Sequence, residues 1–235
     1  FLWWGPPDDL FVAGRGHEAP AIARDAGLTV DNAHVPFQEA NDLWSAGPAG
    51  LRRFRDRHLA WLDELAARDI PCMVMHVTHA LEWPGPSPAA LKTMRAIADA
   101  AAGRGIDLAL ENTRLREPLD WLLAELDAPH VGLCWDSSHD WHWSAAPGEM
   151  LRTWGRRLLY THLSDVCCHE DRHMLPGEGD IDWPALAAHF PRTTYAGPLT
   201  LEVIPADTAR FAGTDDLLQQ ASHACDRLAG LLGRQ

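Results

Sequence analysis

Residues 71–112, PCMVMHVTHALEWPGPSPAALKTMRAIADAAAGRGIDLALEN, decide the predicted fold. They contain a short apolar run, PCMVMHV at 71–77, then a segment at 87–105 with apolar residues three and four positions apart, and a second apolar run, DLALEN at 107–112. Short apolar runs indicate buried strands, and the longer spacing indicates a helix that covers a sheet. The glycine that ends the helical segment is typical of a helix terminus. The stretch is therefore predicted to form one strand–helix–strand unit.

The same alternation continues on both sides of this unit. Further apolar runs are LWWG at 2–5, LTVDNAHV at 28–35, HVGLCWD at 130–136, LLYTHLS at 158–164 and PLTLEV at 198–203, and helical spacing recurs in LRRFRDRHLAWLDELAARD at 51–69. Strands that alternate with helices predict βαβ units and a parallel sheet. We therefore predict an α/β fold, a (β/α)8 TIM barrel that lacks or does not show its first strand, in a single domain over residues 1–235.

The charge of the chain bears on its partners. Its 235 residues include 33 acidic and 20 basic side chains, for a formal net charge of −13 and a pI near 5.3. Such a charge repels nucleic acid and anionic membranes at long range, so a small-molecule enzyme is favoured and neither nucleic acid nor membrane is an expected partner. The sequence leaves open whether the chain forms a homo-oligomer.

Cysteine usage and hydropathy predict a cytoplasmic protein. The five cysteines are an odd number without a CxxC pair, which favours reduced thiols over a disulfide framework. No apolar run approaches the roughly 20 residues that a membrane-spanning helix needs. The N-terminal residues FLWWGPPDDL lack the basic region of an export signal, so no signal or anchor is predicted.

A potential metal ligand closes five of the apolar runs, as His76, Glu111, Asp136, His162 and Glu202. In a parallel barrel the carboxyl ends of the strands meet at one face, so these side chains are expected to converge there. A single carboxylate at a strand end is more often a loop or helix cap, and the inference rests on the joint pattern. Buried carboxylates gathered in this way require a compensating cation. The ligand types suit Mn²⁺, Mg²⁺, Co²⁺ or Zn²⁺ without choosing among them.

Several motifs, taken in order, resemble one family, the xylose-isomerase-like TIM barrels. That family includes sugar phosphate isomerases and epimerases and the endonuclease IV branch of DNA repair. The motifs are ALENT at 109–113, GLCWDSSH at 132–139, YTHLSD at 160–165, DRHMLPGEGDIDW at 171–183 and LTLEV at 199–203. In place of the family's Asp-Thr-Gly-His, this chain has Asp136-Ser137-Ser138-His139, which keeps the spacing of the two functional groups.

The resemblance implies roles for individual residues. Glu111, Asp136, His162 and Glu202 would hold one metal, and His139 would contact the substrate. His34, His76, His139, Asp171 and His173 fall where endonuclease IV members place further zinc ligands, so a site with two or three metals stays open. Alternatively, His34 and His76 line the pocket and bond substrate hydroxyls. Weaker expectations make Glu117, Arg172 and Trp141 substrate contacts. In the PGEG segment at 176–179 a loop leads to a helix that Asp180 or Asp182 would cap.

The implied activity is that of a metal-dependent sugar or sugar-phosphate isomerase or epimerase in carbohydrate metabolism. Glu111 and Glu202 would be catalytic, moving a proton through an enediolate held on the divalent metal. One alternative is a dehydratase that acts on an inositol-like or keto substrate. Another is a multinuclear zinc phosphodiesterase, which the absence of basic strand-end loops disfavours. A non-catalytic sugar-binding barrel is a third, although it would not need both glutamates.

Overall fold

The structure is a computed structural model and describes residues 1–6, 9–168, 170–190, 193–204 and 210–233. Its strands are β1 Leu2–Trp3, β2 Ala33–His34, β3 Cys72–His76, β4 Asp107–Glu111, β5 Val131–Asp136, β6 Leu158–His162, β7 Asp165–Cys167 and β8 Glu170–Met174. Its α-helices are α1 Asp9–Val12, α2 Ala19–Asp25, α3 Asp42–Ser45, α4 Pro48–Ala66, α5 Pro88–Gly103, α6 Glu117–Glu125, α7 Ser137–Trp143, α8 Glu149–Trp154, α9 Trp183–Ala187 and α10 Thr214–Leu231.

Strands β1 to β6 follow one another in chain order in a six-stranded sheet, and β7 and β8 form a separate pair. The chain divides into two compact units. The first contains residues 1–111 and 115–132, and the second contains residues 112–114 and 133–235. The prediction of a single domain stays a prediction.

In the first unit, β1, β2, β3 and β4 pair in parallel. The register of the last pair runs from Cys72 opposite Asp107 to His76 opposite Glu111, so the residues that close β3 and β4 are level. All five residues of β3 are buried. This burial on both faces explains why its sequence is a continuous apolar run instead of an alternating one.

Helices α4 and α5 cover this sheet and lie where helical spacing predicts them. The buried residues of α4 include Phe54, His58, Leu62 and Leu65, which are three or four positions apart and so form one stripe. Helix α5 begins at a proline, and the Ser87 hydroxyl caps it by accepting from the Ala90 N–H at 3.3 Å. Each fully buried leucine contributes roughly 1.5–3 kcal/mol, so this stripe holds α4 in place.

The second unit contains the paired part of β5 and β6, which are parallel and bring Asp136 level with His162. It also contains the antiparallel hairpin of β7 and β8, which sequence analysis did not predict. The residues of β8, EDRHM, show no alternation of apolar and polar side chains. The sequence pattern therefore does not predict this strand.

The last predicted strand, at 198–203, is reduced to a single parallel bridge between Leu163 and Leu201. Two backbone hydrogen bonds carry it, from Leu163 N to Thr200 O at 2.8 Å and from Glu202 N to Leu163 O at 3.1 Å. The pairing is too short to count as a strand, yet it places Glu202 beside the end of β6. Among the helices of the described segments, none is both long and apolar enough to cross a membrane.

Candidate metal centre

In the first unit, three predicted ligands meet at the ends of β2, β3 and β4. The Nε2 atom of His34 lies 3.0 Å from Glu111 Oε2, and the Nε2 atom of His76 lies 3.5 Å from Glu111 Oε1. The side chains of these residues are at most 8% exposed. The structure therefore brings together residues that are up to 77 positions apart in the chain.

Neighbouring main-chain and aromatic groups hold the rings of His34 and His76 in place. His34 Nδ1 lies 2.8 Å from the Val35 carbonyl oxygen, which can only accept, so Nδ1 donates a hydrogen bond there and Nε2 faces Glu111. Trp3 stacks on His34 at a centroid distance of 4.7 Å, and Phe37 stacks on His76 at 4.6 Å. A histidine that binds a metal usually donates a hydrogen bond from its other ring nitrogen to the main chain or to a carboxylate, and this bond fixes the ring.

In the second unit, Asp136 ends β5 and begins α7. Its Oδ1 atom accepts from the His139 N–H at 2.7 Å and lies 2.8 Å from the Ser138 hydroxyl. The Asn112 side chain bonds both backbone groups of Asp136, accepting from its N–H at 2.7 Å and donating to its carbonyl at 2.9 Å. The Asp136 carboxylate is fully buried. Hydrogen bonds with Ser138, His139 and the Asn112 amide fix the position of this residue.

The second unit also contains an acid–imidazole cluster, which consists of His139, Asp171 and His173. Asp171 Oδ2 lies 3.2 Å from His139 Nε2, and Asp171 Oδ1 lies 3.5 Å from His173 Nε2. The Nδ1 atoms of both rings face main-chain carbonyls, of Asn112 at 2.8 Å and of Glu202 at 3.1 Å. Both rings thus repeat the arrangement of His34, with Nδ1 donating outward and Nε2 turned toward a carboxylate.

The negative charge of Asp171 and the positive charge of His173 stabilise each other. Burial alone raises the pKa of the Asp171 carboxyl, but hydrogen bonds from His139 and His173 outweigh it, and the net pKa lies well below its usual range. Burial lowers the pKa of His173, whereas the hydrogen bond to Asp171 and the charges of Asp136 and Glu202 raise it, to a net value of about 9. These shifts favour an ionised Asp171 beside a protonated His173.

His162 and Glu202 form the remaining pair. His162 Nδ1 lies 3.1 Å from Glu202 Oε2, and the His162 side chain is fully buried. The backbone N–H of Ile204 donates to the His173 carbonyl at 2.9 Å, which ties the chain after Glu202 to β8. Glu202 Oε2 is also 3.8 Å from His173 Nδ1.

The donor atoms fit a divalent cation. Within the first unit, one ligand atom each from His34, His76 and Glu111 lies within 4.8 Å of the others, and His139, Asp171 and His173 meet the same limit in the second. Imidazole nitrogens and carboxylate oxygens in such sets suit Zn²⁺, Mn²⁺ and Co²⁺. The identity of the ligands remains a prediction.

The three weaker substrate-binding predictions concern residues on α6, α7 and β8. Glu117 is exposed at the first position of α6, and Trp141 is half-buried in α7. Arg172 is exposed on β8, where it bonds Glu170 at 2.8 Å. Because side chains alternate along a strand, Arg172 points away from the face that carries Asp171 and His173.

Two residues that shape the site were not singled out from the sequence. Ser138 lies 2.7 Å from Asp171 Oδ1 as well as beside Asp136, and its one hydroxyl proton can bond either carboxylate. Buried Asp165 accepts from the N–H groups of Gly177 and Ile181 and from the Trp183 indole, at 2.8–3.1 Å. The only sequence signals were their places in the DSSH and YTHLSD motifs.

Asp165 organises the loop that leads to α9 through these hydrogen bonds. Of the two predicted caps for this helix, Asp182 takes the role by accepting from the Ala185 N–H at 3.0 Å. Asp180 instead accepts from the Cys168 N–H at 2.8 Å.

Two curated proteins are similar to this chain over part of their length. The uncharacterized protein y4fM of Sinorhizobium fredii is 34% identical over 106 residues, which are 44% of this chain and 32% of that protein. The 3-dehydroshikimate dehydratase of Pseudomonas putida is 22% identical over 239 aligned positions, which cover 96% of this chain and 36% of that protein. The chain thus spans about a third of the length of each.

Solved structures of sugar epimerases share the fold. The crystal structure of D-psicose 3-epimerase in the presence of D-fructose matches with a TM-score of 0.74 and 18% identity, covering 92% of this chain and 83% of that one. The structure of L-ribulose 3-epimerase matches with a TM-score of 0.74 and 19% identity, covering 98% and 82%. At these identities the likeness shows the fold alone, and the TIM-barrel prediction is confirmed.

A sequence model of one family covers almost the whole chain. The description of that family is "Xylose isomerase-like TIM barrel", and the match runs from residue 5 to residue 227. The resemblance predicted from the five motifs is thereby confirmed. This chain belongs to the xylose isomerase-like TIM barrel family.

Proposed function

We propose that this protein is a metal-dependent sugar epimerase or isomerase and that Glu111, Asp136, His162 and Glu202 bind its divalent cation. The observation that carries the proposal is the placement of buried acid–imidazole groups at strand ends, with ring nitrogens directed at carboxylates. His34 and His76 surround Glu111 in the first unit, and His162 faces Glu202 at 3.1 Å in the second. The fold shared with sugar 3-epimerases supports the substrate class.

A bound divalent cation would stabilise the negative charge that develops on sugar oxygens when a neighbouring carbon loses its proton. Glu111 and Glu202 are the proposed proton carriers. One carboxylate would remove the proton from the carbon beside the carbonyl, and the other would return a proton to it. Return to the opposite face of that carbon inverts it, and return to the adjacent carbon moves the carbonyl.

The surrounding residues would orient the sugar and exclude water. His139 has its ring fixed by the Asn112 carbonyl, so its Nε2 atom can bond a substrate hydroxyl in a defined direction. The Glu111 side chain is 1% exposed, which limits competing exchange with bulk solvent before the substrate binds.

The test is incubation of the purified chain with D-fructose and D-psicose in D₂O, after loading with Mn²⁺, Co²⁺, Zn²⁺ or Mg²⁺ in turn. An epimerase or isomerase that works by proton transfer forms the other sugar and introduces carbon-bound deuterium, which mass spectrometry detects. Elemental analysis before and after chelation measures metal per chain. Sugar conversion that persists after complete metal removal would contradict the proposed metal dependence.

A second candidate is a metal-dependent dehydratase that acts on a keto substrate. The alignment with 3-dehydroshikimate dehydratase favours it, since that alignment covers 96% of this chain. A dehydratase starts with the same proton removal but expels a hydroxyl group as water. Incubation with 3-dehydroshikimate distinguishes the two, because a dehydratase product is lighter by one water molecule and an epimerase product has unchanged mass in H₂O.

A further inference from the structure

Cys167 and Cys168 are chain neighbours whose sulfur atoms lie 2.9 Å apart. Cys167 ends β7, and Cys168 lies in the turn that follows. Successive side chains of an extended strand point to opposite faces, so adjacent cysteines do not normally meet in this way. Here Cys168 has a φ of +58°, in the left-handed region, and this turn of the backbone brings both sulfurs to the same side.

The turn is held by contacts outside the two cysteines. The Cys168 N–H donates to Asp180 Oδ2 at 2.8 Å, and the Asp180 N–H donates to the Val166 carbonyl at 2.7 Å. A left-handed backbone at a residue other than glycine is strained and persists only where the surroundings impose it. The folded hairpin therefore presents the two thiols already paired.

The pair is also accessible. Cys168 is exposed and Cys167 is half-exposed, whereas Cys72 and Cys134 are buried in the core. Cys225 is half-exposed, and its sulfur faces the Leu199 carbonyl at 3.9 Å. Among the described cysteines, 167 and 168 are thus the ones that offer two sulfurs in mutual contact at the surface.

We propose that Cys167 and Cys168 form a paired-thiol site that binds a trivalent arsenical across both sulfurs. In this condensation the two S–H bonds of the cysteines and the As=O bond of an arsenoxide break. Two As–S bonds form, and the oxygen leaves with both protons as one water molecule. Arsenic stays trivalent and neither sulfur is oxidised, so the reaction needs no further reagent.

Two properties of the pair favour this chemistry. After the first As–S bond forms, the second sulfur is already within contact distance, and the second bond is intramolecular, which raises affinity without new contacts elsewhere. The hydrogen bond with Cys168 raises the pKa of the Cys167 thiol above its ordinary value. Near neutral pH Cys167 is therefore a thiol instead of a reactive thiolate.

The probe is phenylarsine oxide, added in equimolar amount to the reduced, folded full chain. Intact mass spectrometry counts adducts, peptide mapping locates them, and thiol titration counts cysteines lost. We expect one adduct per chain, loss of two titratable thiols, retention in excess 2-mercaptoethanol and release by 1,2-ethanedithiol. Cys167→Ser and Cys168→Ser should each reduce the retained adduct at least ten-fold, and Cys225→Ser, the matched control, should leave it unchanged.

Three results would overturn the proposal. These are the absence of an adduct on the folded chain, an adduct that maps to Cys225, and full retention of the adduct by Cys168→Ser. Circular dichroism of each variant verifies that it is folded, and Cys168→Gly provides a second variant that accepts the left-handed backbone. The readout is binding, so the result does not depend on the proposed sugar chemistry.

Discussion

The two glutamates proposed as proton carriers differ in their surroundings. Glu111 is buried between His34 and His76, and Glu202 is 13% exposed beside His162. Their carboxylates are candidate ligands as well as candidate bases, so an amide at either position removes the negative charge while it keeps nearly the same shape. Substitution by glutamine therefore probes the chemistry of the site with little change in packing.

We expect Glu111→Gln and Glu202→Gln each to lower kcat by about 10²–10⁴-fold, because general base catalysis contributes that much. The measurement is sugar conversion by the metal-loaded protein, with circular dichroism to verify folding. Glu149→Gln, at a half-exposed glutamate that pairs with Arg152, should keep full activity. Normal turnover by either site variant would remove that glutamate from the mechanism.

His58 provides a residue-scale test of stability. Its side chain is buried in α4 against Phe54 and Trp61, and its Nδ1 atom donates to the Phe54 carbonyl at 2.7 Å. Burial lowers the pKa of His58 from 6.5 to about 4. Between these pH values the unfolded chain takes up a proton that the folded chain does not, so the free energy of unfolding falls as the pH is lowered.

The lost stability amounts to about 3 kcal/mol when the pH falls from 7 to 4, at about 1.4 kcal/mol for each unit of pKa difference. Urea unfolding at several pH values measures it. We expect His58→Leu to be less sensitive to acid than the wild type, whereas His17→Gln, at an exposed histidine, should follow the wild-type curve. Equal acid sensitivity of wild type and His58→Leu would show that His58 does not titrate in this window.

At the scale of elements, the segment between β8 and α9 depends on close backbone packing. Asp165 accepts two hydrogen bonds from this segment and a third from Trp183, the first residue of α9. A methyl group on Gly179 would overlap the Val166 carbonyl oxygen and the Asp165 carboxylate. The glycine is therefore required by space and not by its φ angle. The glycines of the PGEG segment predict a close approach of the backbone, but they do not indicate which groups lie against it.

We expect Gly179→Ala to destabilise the protein by about 1–3 kcal/mol, the usual cost of overpacking. Gly103→Ala is the matched control, because a methyl group on Gly103 meets no atom within 4 Å at the end of α5. That change should be neutral or should stabilise by up to about 1 kcal/mol. Thermal unfolding compares the two variants, and an equal effect of both would contradict the packing argument.

At the scale of the whole molecule, the proposed cation links binding to stability. A ligand that binds only the folded chain stabilises it by about 2.7 kcal/mol when its concentration is one hundred times Kd. For a protein of this size, we expect metal addition to raise Tm by about 5–10 °C. Differential scanning fluorimetry with and without a chelator measures this shift.

The Asp136→Ala variant should lose metal and show a smaller Tm shift, because the prediction makes Asp136 a ligand. Asp56→Ala, at an exposed carboxylate that pairs with Arg55, serves as the control and should behave as the wild type. Unchanged metal stoichiometry in Asp136→Ala would contradict its role as a ligand.

Much of the fold could be predicted from the sequence because it depends on local periodicity. The runs that end at His76, Glu111, Asp136 and His162 are strands, and the two segments with helical spacing are α4 and α5. Burial on both faces makes such strands apolar throughout, and burial of one stripe gives a helix its three-and-four spacing. The ordered motifs, together with these elements, were sufficient to identify the family.

The tertiary structure decided what depends on residues far apart in the chain. It brings His34 beside Glu111, although the two residues are 77 positions apart in the chain. It also directs the Nδ1 atoms of His139 and His173 to hydrogen bonds with main-chain carbonyls. It also produced the β7–β8 hairpin, from residues with no apolar pattern, and reduced the run at 198–203 to one bridge. Hydrogen-bond partners are chosen by three-dimensional proximity, which the spacing of apolar residues along a sequence does not encode.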